Sequence, residues 1–478
     1  MTVSIPDPPR ATGEAVRPTR RALVAGSVGN FIEWYEFGVY GYFATVIAAN
    51  FFTPEGGNDL EGLVKTYASF ALAFFFRPIG AAVFGRLGDR IGRRPVLILV
   101  VLLMTAATTL IGLLPTYDTV GAAAPWLLTF LRVLQGLSAG GEFGGAVSIM
   151  TEFAPDGRRG LYGAWQSFTV ALGLLGGAGV AALLATVLSE QALNDWGWRL
   201  PFVLTLPMGL GALWLRLRLE ETPAFRDAGG TDRQFGGAVA PLPTPPAAEV
   251  ARAIVLGAGR IMGWAAAGYT FLVVLPSYLQ STLGASFRQA LIATVVANLG
   301  FAASIIPAGW LSDRIGRRPV MLSGAALVTV SAIPLLNLLQ ETDRSNLVKG
   351  VAVFAAGAAV GLMAGPGPAM LAEMFPTRVR YTGLGLAYAL SNAVFSGCAG
   401  LIITKTIERT GEVDIPAYYT TVTCAISLLA LLTLRGDDHR GPLREGHRAE
   451  QGGTPRTDGA EDGRGDGRGD ERGVGRCG

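Results

Sequence analysis

Two glutamates three residues apart, Glu33 and Glu36, interrupt the first long apolar stretch of the sequence. On a helix they lie about 60° apart, with Asn30 and Tyr40 flanking the same side. A charged carboxylate at mid-membrane costs about 3 kcal/mol, so it must face a cavity, pair with a cation or carry a proton. The pair either changes protonation as a cavity opens to each side, or forms a permanent ion pair with Arg77 that only joins two helices.

A second polar group occurs in the fourth apolar stretch, where Arg132, Gln135 and Glu142 fall within about 80° of each other on a helix. A buried guanidinium suits a substrate carboxylate because it donates two parallel hydrogen bonds. The alternative is that Arg132 pairs with Glu33 or Glu36 and never contacts substrate. Glu142 is surrounded by four glycines, which favour close helix packing as an alternative to ligand binding.

Proton transfer across this chain must use carboxylates. The only histidines, His439 and His447, lie near the C-terminus, outside the apolar stretches. The second half has no acid inside an apolar stretch, because Asp313 and Glu373 lie at the ends of theirs. The sequence therefore predicts that Glu33, Glu36 and Glu142 of the first half carry proton coupling, if the protein is coupled to protons.

Other polar and aromatic side chains are candidates to line a cavity. Trp165, Gln166 and Ser167 share one apolar stretch, and Tyr269 and Asn298 lie in the second half. Aromatic faces would suit a quaternary ammonium, although packing or a place at the membrane interface is the simpler role for each of them.

These residues need apolar helices to position them. Half of the residues are hydrophobic, 16% are charged, and the mean hydropathy is +0.41, which is too apolar for a water-soluble globule of this size. The net charge of +3 is small and its arginines lie in short loops, so no nucleic-acid partner is expected. Three cysteines show no metal-like spacing and no disulfide framework.

The apolar blocks predict an all-α membrane protein of twelve transmembrane helices in two six-helix bundles. The predicted helices are 22–48, 63–85, 95–115, 124–150, 161–188, 197–217, 251–279, 287–311, 319–338, 347–372, 382–407 and 416–435. The predicted segments are an N-terminal segment 1–21, a first bundle 22–217, a proline-bearing linker 218–250, a second bundle 251–435 and a disordered tail 436–478. Two Arg-Gly-Asp triplets in the tail could suggest adhesion, but low-complexity sequence is the simpler interpretation.

A repeated phrase relates the two bundles. GRLGDRIGRRPV at 85–96 follows the second helix, and GWLSDRIGRRPV at 309–320 follows the eighth. Basic loops on one side place both termini and the linker in the cytoplasm. The repeat predicts two parallel halves that bind a ligand between them. The candidate residues of a cytoplasmic gate are Gly85, Asp89, Arg90, Gly92, Arg93, Arg94, Asp313, Arg314, Gly316, Arg317 and Arg318. Simple anchoring by the arginines is the alternative.

Several phrases together resemble the major facilitator superfamily and, within it, the metabolite:proton symporter family. They are the repeated loop, GNFIEWYEFGVYGYFA, FFRPIG, RVLQGLSAGGEFGGA, WGWRLPF, LEETPAF and EMFPTRVRYTG. The last two, with PAYY at 416–419, look most like the proline/betaine branch. The family usually has Asp where this chain has Glu36.

The resemblance implies proton-coupled uptake of a small zwitterionic or anionic metabolite, such as proline, a betaine or a carboxylate, by alternating access. The candidate substrate-binding residues are Asn30, Tyr40, Arg77, Arg132, Gln135, Trp165 and Gln166. An efflux antiporter of the same fold is the alternative, and a transporter-like sensor is a third. We expect no enzyme activity, cofactor or metal, and a monomer in the lipid bilayer of the plasma (inner) membrane.

Overall fold

The computed structural model describes residues 20–54, 57–91, 93–140, 147, 150–151, 154–155, 157–217, 246–341 and 343–434. The tail predicted to be disordered lies outside these residues, as do most of the predicted N-terminal segment and of the predicted linker.

The described part of the chain contains twelve long helices, which we number α1 to α12. Their bounds are α1 Arg20–Tyr42, α2 Asp59–Ile91, α3 Arg93–Leu113, α4 Ala123–Ala139, α5 Arg159–Val187, α6 Gly197–Leu217, α7 Ala247–Ser281, α8 Phe287–Ile315, α9 Arg317–Gln340, α10 Asn346–Met374, α11 Thr377–Ser391 with its continuation Ala399–Thr410, and α12 Ile415–Leu432. The predicted all-α fold with two six-helix bundles, α1–α6 and α7–α12, is confirmed.

Ten of these helices are long and apolar enough to cross a membrane. The two that fall short are α1 and α4, for different reasons. In α1, Glu33 and Glu36 lower the hydropathy of the helix, and the described part of α4 is only 17 residues long. Both also carry candidate site residues.

The observed helices are mostly longer than the predicted ones because apolar periodicity misses polar helix ends. The largest difference is in α2, predicted at 63–85 and observed at Asp59–Ile91. The start of α7 is Ala247, directly after Pro246, where 251 was predicted. A proline can precede the first turn because that turn needs no hydrogen bond from its N–H.

Specific residues fix the two ends of α8. Ser286 caps the start of α8 by accepting a hydrogen bond from the Gln289 N–H, and Gln289 completes a capping box. Gly316 separates α8 from α9 at φ 98°, a conformation that glycine adopts readily. The second copy of the repeated phrase therefore forms a tight turn between two helices.

Three π-helical segments, in which the backbone has an extra residue per turn, interrupt or extend the helices. They are Ala48–Phe52 beyond α1, Thr270–Val274 within α7 and Asn392–Gly397 within α11. The last two lie where the second half faces the first: α7 packs on α1, and α11 packs on α2.

The two halves touch closely at the end of the molecule that carries the arginine-rich turns, which we call the basic end. Here α5 packs along α8, and Gly160 lies directly against Gly309. A Cβ on Gly160 would lie 2.6 Å from the Gly309 carbonyl oxygen and would overlap the Ser312 hydroxyl. These helices can only approach so closely because neither glycine has a side chain.

The opposite end is closed as well, by polar contacts between α1–α2 and α7. The hydroxyls of Tyr67 and Ser277 are 2.6 Å apart. Farther out, the Thr45 hydroxyl donates to Gln280 Oε1 at 3.0 Å. Contacts therefore join the two halves at both ends of the molecule.

Replacing Gly160 by Ala tests the close approach of α5 and α8. The added methyl has no room, so the helices must separate, and we expect a destabilisation of about 1–3 kcal/mol. Thermal unfolding of the purified protein in detergent measures this. Gly179→Ala is the matched control, because Gly179 lies on the same helix and a Cβ there would have nothing within 4 Å. Equal melting temperatures for the two variants would contradict the close contact.

Candidate functional site

A group of four charged side chains of the first half is buried together, on α1, α2 and α4. Glu33 and Arg77 are each 4% exposed, and Glu36 and Arg132 are fully buried. Buried charges are stable only when they are paired and hydrogen-bonded. Their partners therefore define what this cluster, which we call the charged cluster, can do.

Glu33 and Arg77 form an ion pair between α1 and α2. The Arg77 Nη2 atom lies 3.2 Å from Glu33 Oε1. The guanidinium carbon also lies 4.3 Å from the ring centre of Phe37 and 4.4 Å from that of Phe74. Aromatic faces stabilise a desolvated cation, so Arg77 keeps favourable contacts even if Glu33 becomes neutral.

Glu36 is connected to Arg132 through two neutral side chains. Arg132 Nη1 donates to Gln135 Oε1 at 2.7 Å, and Gln135 Nε2 donates to the Thr108 hydroxyl. Thr108 in turn donates to Glu36 Oε2 at 2.6 Å. Every donor points towards the carboxylate, so this chain orients Arg132 and links its charge to that of Glu36.

Arg132 keeps one edge of its guanidinium available. Its guanidinium carbon lies 4.1 Å from the ring centre of Tyr40 and 4.9 Å from that of Phe70. Among the described residues, no side chain or backbone group accepts a hydrogen bond from Arg132 Nε or Nη2. Nε and Nη2 are adjacent donors with the geometry to bind both oxygens of a carboxylate. Arg132 is therefore placed to bind an anionic group.

The second half covers the charged cluster with aromatic side chains. The Tyr269 ring of α7 lies 5.5 Å from that of Phe74, 6.0 Å from that of Phe70 and 6.3 Å from that of Trp34. Tyr388 of α11 packs on Trp264, with ring centres 6.0 Å apart. The cluster thus lies at the interface between the halves, with its charges on one side only.

Three of the predicted binding residues instead join helices within the first half: they are Asn30, Gln166 and Tyr40. Asn30 Nδ2 donates to the Thr169 hydroxyl at 2.6 Å and to the Gln166 carbonyl at 3.2 Å, which connects α1 to α5. The Tyr40 hydroxyl lies 2.6 Å from the Ser69 hydroxyl on α2, while its ring covers Arg132. Of these three, only Tyr40 contacts the charged cluster.

Trp165 lies away from the charged cluster. Its side chain is 46% exposed, and its indole N–H donates to the Ser27 hydroxyl at 3.1 Å. Ser167 crosses to the second half by donating to the Ala364 carbonyl at 2.7 Å. Asn298 donates to the carbonyls of Leu272 and Thr294.

The predicted gate is described in its second copy. The Asp313 carboxylate accepts hydrogen bonds from the Gly160 N–H at 2.7 Å and the Leu161 N–H at 2.8 Å, at the first turn of α5. Arg317 binds Asp313 at 2.6 Å and Glu373 at 2.9 Å. Carboxylates are stabilised at a helix N-terminus, so Asp313 joins the halves at the basic end.

The other gate residues contribute less or lie outside the described residues. Arg314 stacks on Trp310 at 3.8 Å, and Arg318 is partly exposed. Glu142 and Gly92 lie outside the described residues. The backbone of α2 and α3 is described at Gly85, Asp89, Arg90, Arg93 and Arg94, but nothing is described of their side chains.

Sequence reasoning missed Thr108 and the aromatic side chains around the arginines. Threonine is uncharged and common in apolar helices, so nothing in the sequence distinguishes Thr108. Its role becomes visible only in the structure, where α3 packs against α1 and α4. Phe70 and Phe74 lie four residues apart on α2, and Phe37 lies three residues after Trp34 on α1; both spacings are equally typical of core packing. No group of side chains suited to a metal ion occurs in the described ranges.

Thr108→Val tests the hydrogen-bonded chain between Arg132 and Glu36. The substitution keeps the shape but removes the donor to Glu36 and the acceptor for Gln135, leaving buried polar atoms unsatisfied. We expect a loss of stability of about 1–3 kcal/mol, measured by thermal unfolding in detergent. Thr108→Ser keeps the hydroxyl and should unfold close to the unmodified protein. If Thr108→Val and Thr108→Ser unfold at the same temperature, the hydrogen-bonded chain between Arg132 and Glu36 does not contribute to stability.

Two family models match the chain, one in each half. The model described as "Sugar (and other) transporter" matches residues 22–232, and the model described as "Major Facilitator Superfamily" matches residues 255–461. Solved structures with the same fold include a D-xylose–proton symporter, at 19% identity and TM-score 0.67, covering 85% of this chain and 96% of that one. A partially occluded, inward-open xylose transporter of Escherichia coli has TM-score 0.69 at 18% identity, covering 86% and 96%.

Relatives of higher identity match nearly the whole described region. The chain is 35% identical over 434 residues to a proline/betaine transporter of Escherichia coli, covering 89% of this chain and 85% of that protein. It is 34% identical over 447 residues to an ectoine/proline transporter of Corynebacterium glutamicum, covering 90% and 87%. The fold, the duplicated gate loop and these relatives lead to one conclusion: the chain is a membrane transporter, not an enzyme, and belongs to the proline/betaine transporter family of the major facilitator superfamily.

Proposed function

We propose that this protein is a proton-coupled symporter that imports a small zwitterion, such as proline or a betaine. The observation that carries the proposal is the available edge of Arg132, fully buried beside the Glu33–Arg77 ion pair. A buried arginine with two adjacent donors suits a carboxylate. The relatives named as carriers of proline, betaine and ectoine support this class of substrate.

Exchange of partners at Arg77 couples proton binding to substrate binding. In the structure Arg77 is paired with Glu33, and a third carboxylate nearby would add an unbalanced negative charge. Protonation of Glu33 removes that charge and lets the substrate carboxylate approach both guanidinium groups, which flank Phe37 at 4.3 Å and 5.0 Å. Substrate and proton therefore stabilise each other, and release of either weakens the binding of the other.

Alternation between the two gates makes the site accessible first from one side of the membrane and then from the other. The basic end, where Asp313 of α8 binds the first turn of α5, corresponds to the cytoplasmic side by the positive-inside rule. The opposite end, closed by Tyr67 and Ser277, then faces outward. Rocking of the halves about the fixed site opens one end at a time. In this assignment both termini are cytoplasmic, and the protein acts as a monomer in the plasma membrane.

Uptake into proteoliposomes under an imposed proton gradient tests the proposal directly. With the outside acidic, radiolabelled proline or glycine betaine should accumulate above its external concentration. Collapse of the gradient by a protonophore should reduce the internal concentration to equilibrium. Export driven by the same gradient would instead support an antiporter, and absence of transport of these zwitterions would overturn the proposed substrate class.

Glu33→Gln should abolish accumulation against a gradient, because the amide can neither bind nor release the coupling proton. Exchange of internal for external substrate should persist, since that step needs no net proton movement. Gradient-driven uptake and exchange are measured in the same proteoliposomes. Glu61→Gln is the control, because Glu61 is an exposed partner of Lys65 on α2. Full accumulation by Glu33→Gln would contradict a coupling role for Glu33.

Arg132→Lys should raise the apparent KM for uptake by about tenfold or more, since lysine keeps the charge but cannot bind a carboxylate with two parallel bonds. Initial uptake rates over a range of substrate concentrations measure the effect. Arg344→Lys makes the same exchange at an exposed ion pair with Glu341 and should leave KM unchanged. An unchanged KM in Arg132→Lys would place the substrate carboxylate elsewhere.

A further inference from the structure

We propose that Tyr269 of the second half receives the ammonium end of the substrate, with its ring against the cation and its hydroxyl accepting an N–H. This inference rests on the proposed function and goes beyond it. It predicts that Tyr269 distinguishes substrates with an N–H, such as proline, from fully methylated ones such as glycine betaine.

The aromatic faces of the first half are not available to the ammonium end. They are already taken by the protein's own cations: Phe37 and Phe74 by Arg77, and Tyr40 and Phe70 by Arg132. A second cation on the same faces would meet two guanidinium groups of like charge. A zwitterion whose carboxylate binds these arginines must therefore point its positive end away from them, across the interface.

Tyr269 lies directly across that interface. Its ring is within 5.5–6.3 Å, centre to centre, of the rings of Phe74, Phe70 and Trp34, which surround the charged cluster. Only 5% of Tyr269 is exposed, and its hydroxyl has no hydrogen-bond partner among the described residues. A buried hydroxyl without a partner is costly, so a bound substrate is a natural partner for it.

Neutral groups must receive the cation on this side. The described carboxylates of the second half lie at helix ends, as Asp313, Glu373 and Asp414 show, and the middle of α7 carries none. An aromatic face and a hydroxyl oxygen are the groups that stabilise an ammonium without a formal charge. The hydroxyl can accept a hydrogen bond from a secondary ammonium, but a quaternary ammonium has no hydrogen to donate.

The backbone at Tyr269 supports a specialised role. The π-helical segment Thr270–Val274 begins at the next residue, and such segments occur frequently at functional sites. Val273, within this segment, packs so closely on Gly41, just before the end of α1, that a Cβ on Gly41 would overlap the Val273 side chain. Tyr269 is thus adjacent to a part of α7 in close contact with the helix that carries Glu33.

Two substitutions at Tyr269 separate the hydroxyl from the ring. Tyr269→Phe keeps the aromatic face and should raise the apparent KM for proline about tenfold, while that for glycine betaine changes by less than about twofold. Tyr269→Leu removes both the aromatic face and the hydroxyl, and it should raise the apparent KM for both substrates. Uptake of each labelled compound into proteoliposomes gives the two KM values. Tyr418→Phe, at an exposed tyrosine of α12, is the matched control.

Equal effects of Tyr269→Phe on the two substrates would overturn the inference, because the hydroxyl would then serve the carboxylate that both share. No effect on either would overturn it as well. Both results leave the proposed function standing, since the unmodified protein would still transport these compounds. Failure of the unmodified protein to transport any zwitterion would instead refute the proposed function. Thermal unfolding of each variant shows whether a loss of uptake reflects a loss of folding.

Discussion

Burial of four charged side chains in one half of the molecule is the constraint on which the rest of the structure depends. Removing one partner of a buried ion pair typically costs about 3–5 kcal/mol, because the other charge is left uncompensated. Helices α1, α2 and α4 must therefore keep their relative positions while the halves move. Thr108 and Gln135 help by orienting Arg132. The charges belong to a unit that stays rigid, and motion is left to the interface.

The two halves share an architecture but divide the chemistry. Both carry the arginine-rich turn, and both have glycines where helices approach closely. Among the residues that the structure describes, only those of the first half bring charges to the middle of the molecule, whereas the second half presents the aromatic side chains of Tyr269, Trp264 and Tyr388. The features that the two halves share therefore build the fold, and the features in which they differ form the candidate site.

The fold could be predicted almost completely from the sequence, because about twenty consecutive apolar residues indicate a membrane helix and a duplicated turn reveals the symmetry. Glu33, Glu36, Arg77 and Arg132 were also predictable, since a charge within an apolar stretch is conspicuous. Thr108 was not, because a hydroxyl that bonds a helix carbonyl looks the same in sequence as one that bonds a carboxylate. Trp165 shows the converse: an aromatic residue facing outward has the same sequence signal as one lining a cavity.

The bond between Asp313 and the first turn of α5 has a consequence for the speed of the cycle. Its carboxylate and both N–H groups lie at helix ends, where water can reach them once the halves part. Each hydrogen bond lost to the partner is then replaced by one to solvent, so the net difference is about 1.5–3 kcal/mol per bond to this charged group. In the proposed transport cycle, hydrogen bonds that water can replace hold the basic end together without trapping it, so that this end needs no energy source of its own to open and close.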